Sequence, residues 1–232
     1  MKWKQFLTGR GIAGRIFDEI RGDVREEVVL WQSSARCDAP DMTTFGFVLD
    51  GGAELVLPHS RHRLTRCCFF SVTGAFTVDG GYGMLVHIAG YRGLNVVGGP
   101  VERSGRLKYI DGCTDTLLIA PVKRGDPCLN VLYFPRGIAQ TAHTHPSVRL
   151  GAVLWGRGRC KTAEGTFPLE MGVTFCIPAD VLHSFHTESD EMVVMAYHPD
   201  SDFGPEDENH PMINRTIVDG MSAAGLAAIR TK

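Results

Sequence analysis

Short apolar segments, separated by glycine and proline, recur along most of the chain. Residues 43–58 contain apolar positions on both sides of Asp50-Gly51-Gly52, and an Asp-Gly pair in that setting is a strong signal for a β-hairpin. Residues 26–36, 117–120 and 192–198 are further runs of the length and composition that strands have. The pattern therefore predicts an all-β chain of short strands joined by tight turns.

The two ends of the chain have a different pattern. Ile12, Ile16, Phe17 and Ile20 recur at spacings that would line one face of a short helix, as part of an N-terminal arm over residues 1–25. After residue 200 a polar stretch predicts a loop, and the alanine-rich residues 221–230 predict a short terminal helix. We expect the arm and this helix to pack on the strands or on a second subunit.

Composition limits the functional classes. The 232 residues include 27 glycines and 12 prolines, which suits many turns, and 44% hydrophobic residues, which suits a substantial core. A net charge of −2 provides no field for nucleic acid or for an anionic membrane, and no long apolar stretch predicts a spanning segment. The seven cysteines contain no Cys-x-x-Cys motif, so we predict reduced, mostly buried thiols in a cytoplasmic protein without a secretory signal.

Three histidines carry the clearest chemical signal. His143 and His145 are two residues apart, and on a strand such a pair points to the same face. His183 follows a Pro178-Ala-Asp turn further along. Imidazoles that converge in this way form part of a metal site. The alternative is that they are hydrogen-bonded core residues, which would leave buried ring nitrogens unpaired at a cost in free energy.

The segments around these histidines resemble the two motifs of the cupin family. The matching positions are Gly137, His143, His145 and Gly156 in the first motif, and Gly172, Pro178 and His183 in the second, where Asp180 stands in the second glycine position. The resemblance covers roughly residues 130–199. It implies a double-stranded β-helix, or jelly-roll barrel, that holds one divalent metal near its axis through His143, His145 and His183.

The first motif departs from the family at its glutamate. With three intervening residues the glutamate position holds Arg149, and with four it holds Leu150, so the usual carboxylate ligand is absent. Three neutral ligands leave coordination positions open. In the family such sites resemble those of thiol, gentisate-type and diketone-cleaving dioxygenases, which implies Fe(II), with Zn, Mn or Ni as alternatives.

Arg149 has two interpretations. If it truly fills the glutamate position it shares a face with the ligands, and its guanidinium would anchor a substrate carboxylate or enolate beside the metal. Alternatively, it bends away and pairs with an acid such as Glu170. Strand parity places His186 and Gln140 on the face away from the metal, and Asp111, Asp115 and Asp126 are interpreted as turn residues.

The domain organisation follows from the position of the motifs. Residues 26–128 are predicted to form a degenerate cupin-like β domain without a metal site, residues 129–199 the core of the metal-binding cupin, and residues 200–232 a C-terminal loop and short helix. The chain would then be a bicupin. The alternative is one cupin domain with additional N-terminal strands.

Three functions remain open at this point. The first is a mononuclear non-haem iron dioxygenase acting on a small anionic organic molecule. The second is a Lewis-acid metal enzyme, an isomerase or lyase, with Mn, Ni or Zn. The third is a non-catalytic barrel that binds a sugar or a small acid. In each case the partner is a small molecule, with no nucleic acid and no membrane, and the protein is expected to be a homodimer.

Overall fold

The computed structural model describes residues 7–10, 14–21 and 23–231, and almost all of its regular structure is β-strand. The first strand, β1 (Leu7–Arg10), pairs with a strand of the second half of the chain. The N-terminal sheet then consists of β2 (Gly14–Arg21), β3 (Val24–Cys37), β4 (Met42–Leu57), β5 (Ser60–Leu64), β6 (Phe69–Thr73), β7 (Phe76–Ala89) and β8 (Val96–Gly98). Its strands are antiparallel and run in the order β2-β3-β7-β4-β6-β8, with β5 paired to β4.

The C-terminal sheet contains β1 and eight later strands. They are β9 (Leu107–Lys108), β10 (Thr114–Ile119), β11 (Cys128–Phe134), β12 (Arg149–Thr162), β13 (Gly165–Glu170), β14 (Val173–Ile177), β15 (His183–His186) and β16 (Met192–His198). The order along the sheet is β1-β14-β12-β16-β11-β10-β9, and β13 and β15 both pair with β12. The all-β fold class is confirmed. β9 and β10 belong to this sheet although they lie outside residues 129–199. The predicted domain boundaries stay a prediction.

The ends of the chain differ from the sequence-based expectation. The helical face predicted for Ile16 to Ile20 is wrong, because residues 14–21 form β2, which pairs with β3. Ile12 lies outside the described residues. At the C-terminus, a small hairpin of β17 (Ile217–Val218) and β18 (Met221–Ser222) precedes two single 3-10 turns, Ala223–Gly225 and Ala227–Ile229. None of the helices in the described residues has the length and apolar character needed to cross a membrane.

The central strands of the C-terminal sheet divide their side chains between two environments. Along β11, Leu129, Val131 and Tyr133 belong to a buried cluster that also contains Phe45 and Val86 of the N-terminal sheet. The alternate residues of β11 point to the opposite face, as the twofold periodicity of a strand requires. One face of the sheet therefore packs against the N-terminal half, and the other face is free to line the interior of its own barrel.

A buried polar contact also joins the two halves. The Tyr197 hydroxyl on β16 donates a hydrogen bond to Oε1 of Glu26 on β3, at 2.8 Å, and both side chains are buried. The seven cysteines are all buried and free, which confirms the prediction of reduced, buried thiols.

In the interior of the N-terminal half, two aromatic side chains pack over glycines of the neighbouring strands. A Cβ atom on Gly83 would lie 1.9 Å from the Trp31 ring, and one on Gly46 would lie 2.1 Å from the Phe70 ring. The Trp31 and Phe70 rings therefore lie over glycines of the adjacent, paired strands, where any larger residue would clash with them. In the C-terminal half, the Phe175 ring covers Gly151 in the same way, and Phe175 also lines a cavity.

Candidate metal centre

The three histidines of the sequence motif meet at one point of the C-terminal half. His183 begins β15, and it forms an antiparallel bridge with His143, through His143 N to His183 O at 2.9 Å and the reverse bond at 3.0 Å. His143 and His145 lie in an extended segment before β12 rather than on a regular strand. The two-residue spacing nevertheless brings both rings to the same side.

The three rings converge closely enough to share one ion. Their ligand nitrogens all lie within 4.8 Å of one another, and the ring centroids are 4.6 to 5.2 Å apart. In the described part of the chain, this is the group of histidine, cysteine and acidic side chains whose geometry could hold a metal. A set of three neutral nitrogen donors suits a divalent metal of the first transition row.

Backbone hydrogen bonds fix which ring nitrogen is available. Nδ1 of His143 donates to the carbonyl oxygen of Thr141, and Nδ1 of His183 donates to that of Val181, each at 2.9 Å. A proton on Nδ1 leaves the lone pair on Nε2, which is the arrangement that metal-binding histidines adopt. Nε2 of His183 is buried and has no hydrogen-bond partner among the described residues. A metal ion would satisfy that nitrogen, so the residues fit the cofactor.

The surroundings keep two of these imidazoles neutral. Burial, with a smaller contribution from the positive charge of Arg149, lowers the pKa of His145 to about 3. Burial also lowers the pKa of His183 to about 4. A neutral imidazole is the form that binds metal, so these two ligands stay competent well below neutral pH.

The same pKa shifts predict that the metal-free protein loses stability in acid. Below about pH 6.5 the unfolded chain binds protons at both sites and the folded protein does not, so the free energy of unfolding falls from pH 6.5 down to about 4 for His183 and about 3 for His145. If both pKa shifts acted in full, the free energy of unfolding would be about 4 kcal/mol lower at pH 5 than at pH 7. Because both rings keep some contact with solvent, we expect a loss of roughly 1–3 kcal/mol. Urea unfolding at pH 7 and pH 5 in the presence of chelator measures the loss.

The control for this experiment is a double variant, His145→Asn with His183→Asn, which removes both titrating rings and keeps polar side chains. We expect its stability to depend less on pH than that of the wild type, by the same roughly 1–3 kcal/mol. An equal pH dependence in the two proteins would contradict the assignment.

A cavity of ≈ 240 Å³ opens on the three histidines, and its size suits a small organic molecule. Its apolar walls are Leu107, Leu132, Phe134, Phe175, Ile177, Phe185, Val194 and Ala196. The polar side chains that line it, besides the three histidines, are Lys108, Tyr109, Asp115, Asn130, Gln140, Arg149 and His198. Apolar walls with a few polar groups among them are typical of sites that bind small molecules.

Arg149 lines this cavity beside the histidines. Its side chain is only 11% exposed, and Nη1 donates to the carbonyl oxygens of Ser147, at 3.2 Å, and Val148, at 3.0 Å. The acid near Nη1 is Asp200, at 3.9 Å, and not Glu170, which the alternative interpretation gave as its example. The register places Arg149 opposite Ile177, another cavity residue, and directs the guanidinium to the side of the sheet that carries the site.

The structure also corrects the predicted position of Gln140. Strand parity placed this side chain away from the metal, but Gln140 is buried and lines the cavity, and its Oε1 accepts a hydrogen bond from Phe185 N at 3.1 Å. Parity fails here because residues 140–145 do not form a regular strand. His186 does lie outside the cavity, where its Nε2 contacts the Ser184 hydroxyl at 2.8 Å, in line with the parity argument for β15.

Several cavity residues were not identified as site residues from the sequence. His198 ends β16, and its burial, together with the charge of Arg149, holds its pKa well below the usual value, so it is neutral at neutral pH. Asn130 and Asp115 lie on β11 and β10, and Asp115 is part of a strand rather than of a turn as predicted. The alternation of β11 and β16 is the signal that could have placed Asn130 and His198 on the cavity face.

Known proteins are similar to this chain in the same region and in overall fold. The family model described as "Cupin domain" matches residues 130–198. A cupin 2 conserved barrel domain protein from Leptotrichia buccalis superposes with a TM-score of 0.59 at 14% identity, covering 85% of this chain and 90% of that one. The protein Ylba from E. coli gives a TM-score of 0.58 at 14% identity, covering 87% of this chain and 93% of that one.

A dioxygenase is among the similar structures. A single-residue mutant of salicylate 1,2-dioxygenase from Pseudoaminobacter salicylatoxidans superposes with a TM-score of 0.55 at 12% identity, covering 75% of this chain and 70% of that one. None of the curated proteins compared matches the sequence. At these identities the structural likeness establishes the fold and does not transfer an activity.

Proposed function

Because the chain belongs to the cupin superfamily, we propose that it is a metal-dependent enzyme, a mononuclear non-haem iron dioxygenase acting on a small anionic organic molecule. The observation that supports this most directly is the convergence of His143, His145 and His183 in the wall of a small cavity that a buried arginine also lines. A site that had only to bind a sugar would not need a buried imidazole nitrogen without a partner.

In this proposal, the three histidines hold the metal through Nε2. Bound Fe(II) would supply open coordination positions at which dioxygen can be activated next to an organic substrate. The absence of a glutamate ligand leaves the ligand set neutral, and Arg149 adds a positive charge nearby. An anionic substrate is therefore favoured in the cavity, since its charge would compensate both the metal and the guanidinium.

The other cavity residues have roles that their chemistry supports. The Arg149 guanidinium would bind the substrate carboxylate and fix its orientation. The phenylalanine rings of the walls, Phe134, Phe175 and Phe185, would contact the apolar body of the substrate and exclude water. The His198 imidazole, whose pKa burial holds well below the usual value, stays neutral and would offer the bound substrate a hydrogen bond without adding positive charge to the cavity.

The test is metal analysis of protein purified without chelator, followed by oxygen-uptake measurements with small carboxylates and thiols. We expect about one iron per chain and oxygen consumption that requires both the iron and a substrate. Zn, Mn or Ni at the same stoichiometry, with no oxygen uptake, would replace the dioxygenase by Lewis-acid chemistry. A folded protein that binds none of these ions when they are offered would contradict an enzymatic role and favour a binding barrel.

A further inference from the structure

Two neighbouring strands present a polar pair to the cavity. Asp115 lies on β10 and Asn130 on β11, and both line the cavity. Nδ2 of Asn130 donates to both carboxylate oxygens of Asp115, at 3.1 and 3.0 Å. An ionised carboxylate only accepts hydrogen bonds, so this contact fixes the amide with its nitrogen toward Asp115 and its oxygen directed elsewhere.

The orientation of the amide leaves an acceptor unused. Oδ1 of Asn130 is buried and has no hydrogen-bond partner among the described residues. Nε of Arg149, a donor on another residue that lines this cavity, is also buried and without a hydrogen-bond partner among the described residues. Buried polar atoms without partners are costly, and native proteins retain few of them. Two such atoms of opposite type in one cavity indicate a ligand that supplies an acceptor to one and a donor to the other.

We propose that Asn130 and Asp115 form a recognition site for a hydroxyl or amino group of the substrate, and that the substrate class is therefore a hydroxy- or amino-carboxylate with an apolar body. The carboxylate would pair with Arg149, and the hydroxyl or amino group would donate to Asn130 Oδ1. Asp115 acts through Asn130, since its charge polarises and orients the amide. This inference rests on the proposed function for the role of Arg149, and it adds the substituent that the cavity selects.

Binding of matched probes to the metal-loaded protein tests the inference. The probes are benzoate against its hydroxy and amino derivatives at each ring position, and butyrate against 2- and 3-hydroxybutyrate and the corresponding aminobutyrates, measured by titration calorimetry. In the wild type we expect at least one substituted probe to bind roughly 5- to 100-fold more tightly than its unsubstituted parent. The Asn130→Leu variant should reduce this preference, measured within the variant itself against the unsubstituted parent, to less than about twofold.

A second variant keeps the result interpretable if Asn130→Leu does not fold. Asp115→Asn preserves the size of the side chain and can donate to Asn130 Oδ1 itself, so it should also abolish the preference. The matched control is Asp126→Asn, which makes the same change at an exposed turn where Asp126 accepts a hydrogen bond from Lys123 N, and it should keep the preference. Circular dichroism of each variant verifies the fold.

The outcomes separate this inference from the proposed function. If the protein binds iron and binds the parent carboxylates but shows no preference, or if the preference survives in the two variants, the recognition site is wrong and the dioxygenase proposal stands. If none of the probes binds, the recognition site is also wrong. If the protein binds no metal but shows a preference that depends on Asn130, the recognition site stands and the dioxygenase proposal fails.

Discussion

Replacement of His183 by alanine is expected to abolish metal binding, with a loss of at least about a hundredfold in affinity. His183 is the most deeply buried of the three histidines, with 1% exposure, and its Nε2 is the nitrogen without another partner. Loss of one of three ligands leaves two donors, which cannot hold the ion against competition from solvent. The metal content of the purified variant, and the rise in its melting temperature on addition of metal, measure this effect.

The wild-type protein shows how large the rise in melting temperature on addition of metal should be. A ligand at a hundred times its Kd stabilises the folded state by about 2.7 kcal/mol, and we expect no comparable gain in the variant. His186→Ala is the matched control, since it removes a histidine from the same strand but outside the cavity, and it should retain the metal. Equal metal content in the His183→Ala and wild-type proteins would rule out the three-histidine centre.

Replacement of Arg149 by methionine is expected to weaken the binding of carboxylate ligands roughly 30- to 1,000-fold, because a buried charged partner contributes about 2–4 kcal/mol. The Nη1 atom already contacts backbone carbonyls, and Nε retains a donor for a ligand. The metal content should not change, since Arg149 is not a metal ligand. Titration of the metal-loaded proteins with benzoate and with neutral benzamide measures the contribution of charge.

Two further variants define the specificity of this effect. Arg149→Lys keeps the charge without the planar fork, and it should recover only part of the affinity. Arg159→Met removes an arginine from the same strand, at a half-exposed position where its guanidinium contacts Glu188, and it should bind benzoate like the wild type. If Arg149→Met distinguishes benzoate from benzamide as well as the wild type does, Arg149 does not anchor the substrate.

The sequence contained enough to predict the three histidines and the barrel around them. His143 and His145 lie on one side although their segment is not a regular strand, so this prediction tolerated an error in secondary structure. The prediction for Gln140 was more sensitive, because the direction of its side chain was derived by assuming a regular strand from Gln140 to His143. Parity is therefore dependable over one step of two residues and weak across an irregular segment.

The rest of the cavity depends on contacts between distant parts of the chain. Leu107 to Tyr109 and Asp115 fall within residues 26–128, which the sequence analysis assigned to the N-terminal domain, and the structure adds β9 and β10 to the C-terminal sheet beside β11. The local sequence of these residues does not indicate which of the two sheets they join. The N-terminal helix prediction failed for the same reason, since the spacing of Ile16, Phe17 and Ile20 suits a helix and pairing with β3 makes it a strand.

The pairing of β1 has a consequence for how the protein is made. Leu7 pairs with Cys176, so β1, which precedes the N-terminal sheet in the chain, completes the edge of a sheet whose other strands all follow the N-terminal sheet. During translation this strand remains without its final partner while the whole N-terminal sheet emerges and folds. The C-terminal half therefore cannot be cut out as a separate module without losing a strand of its own sheet.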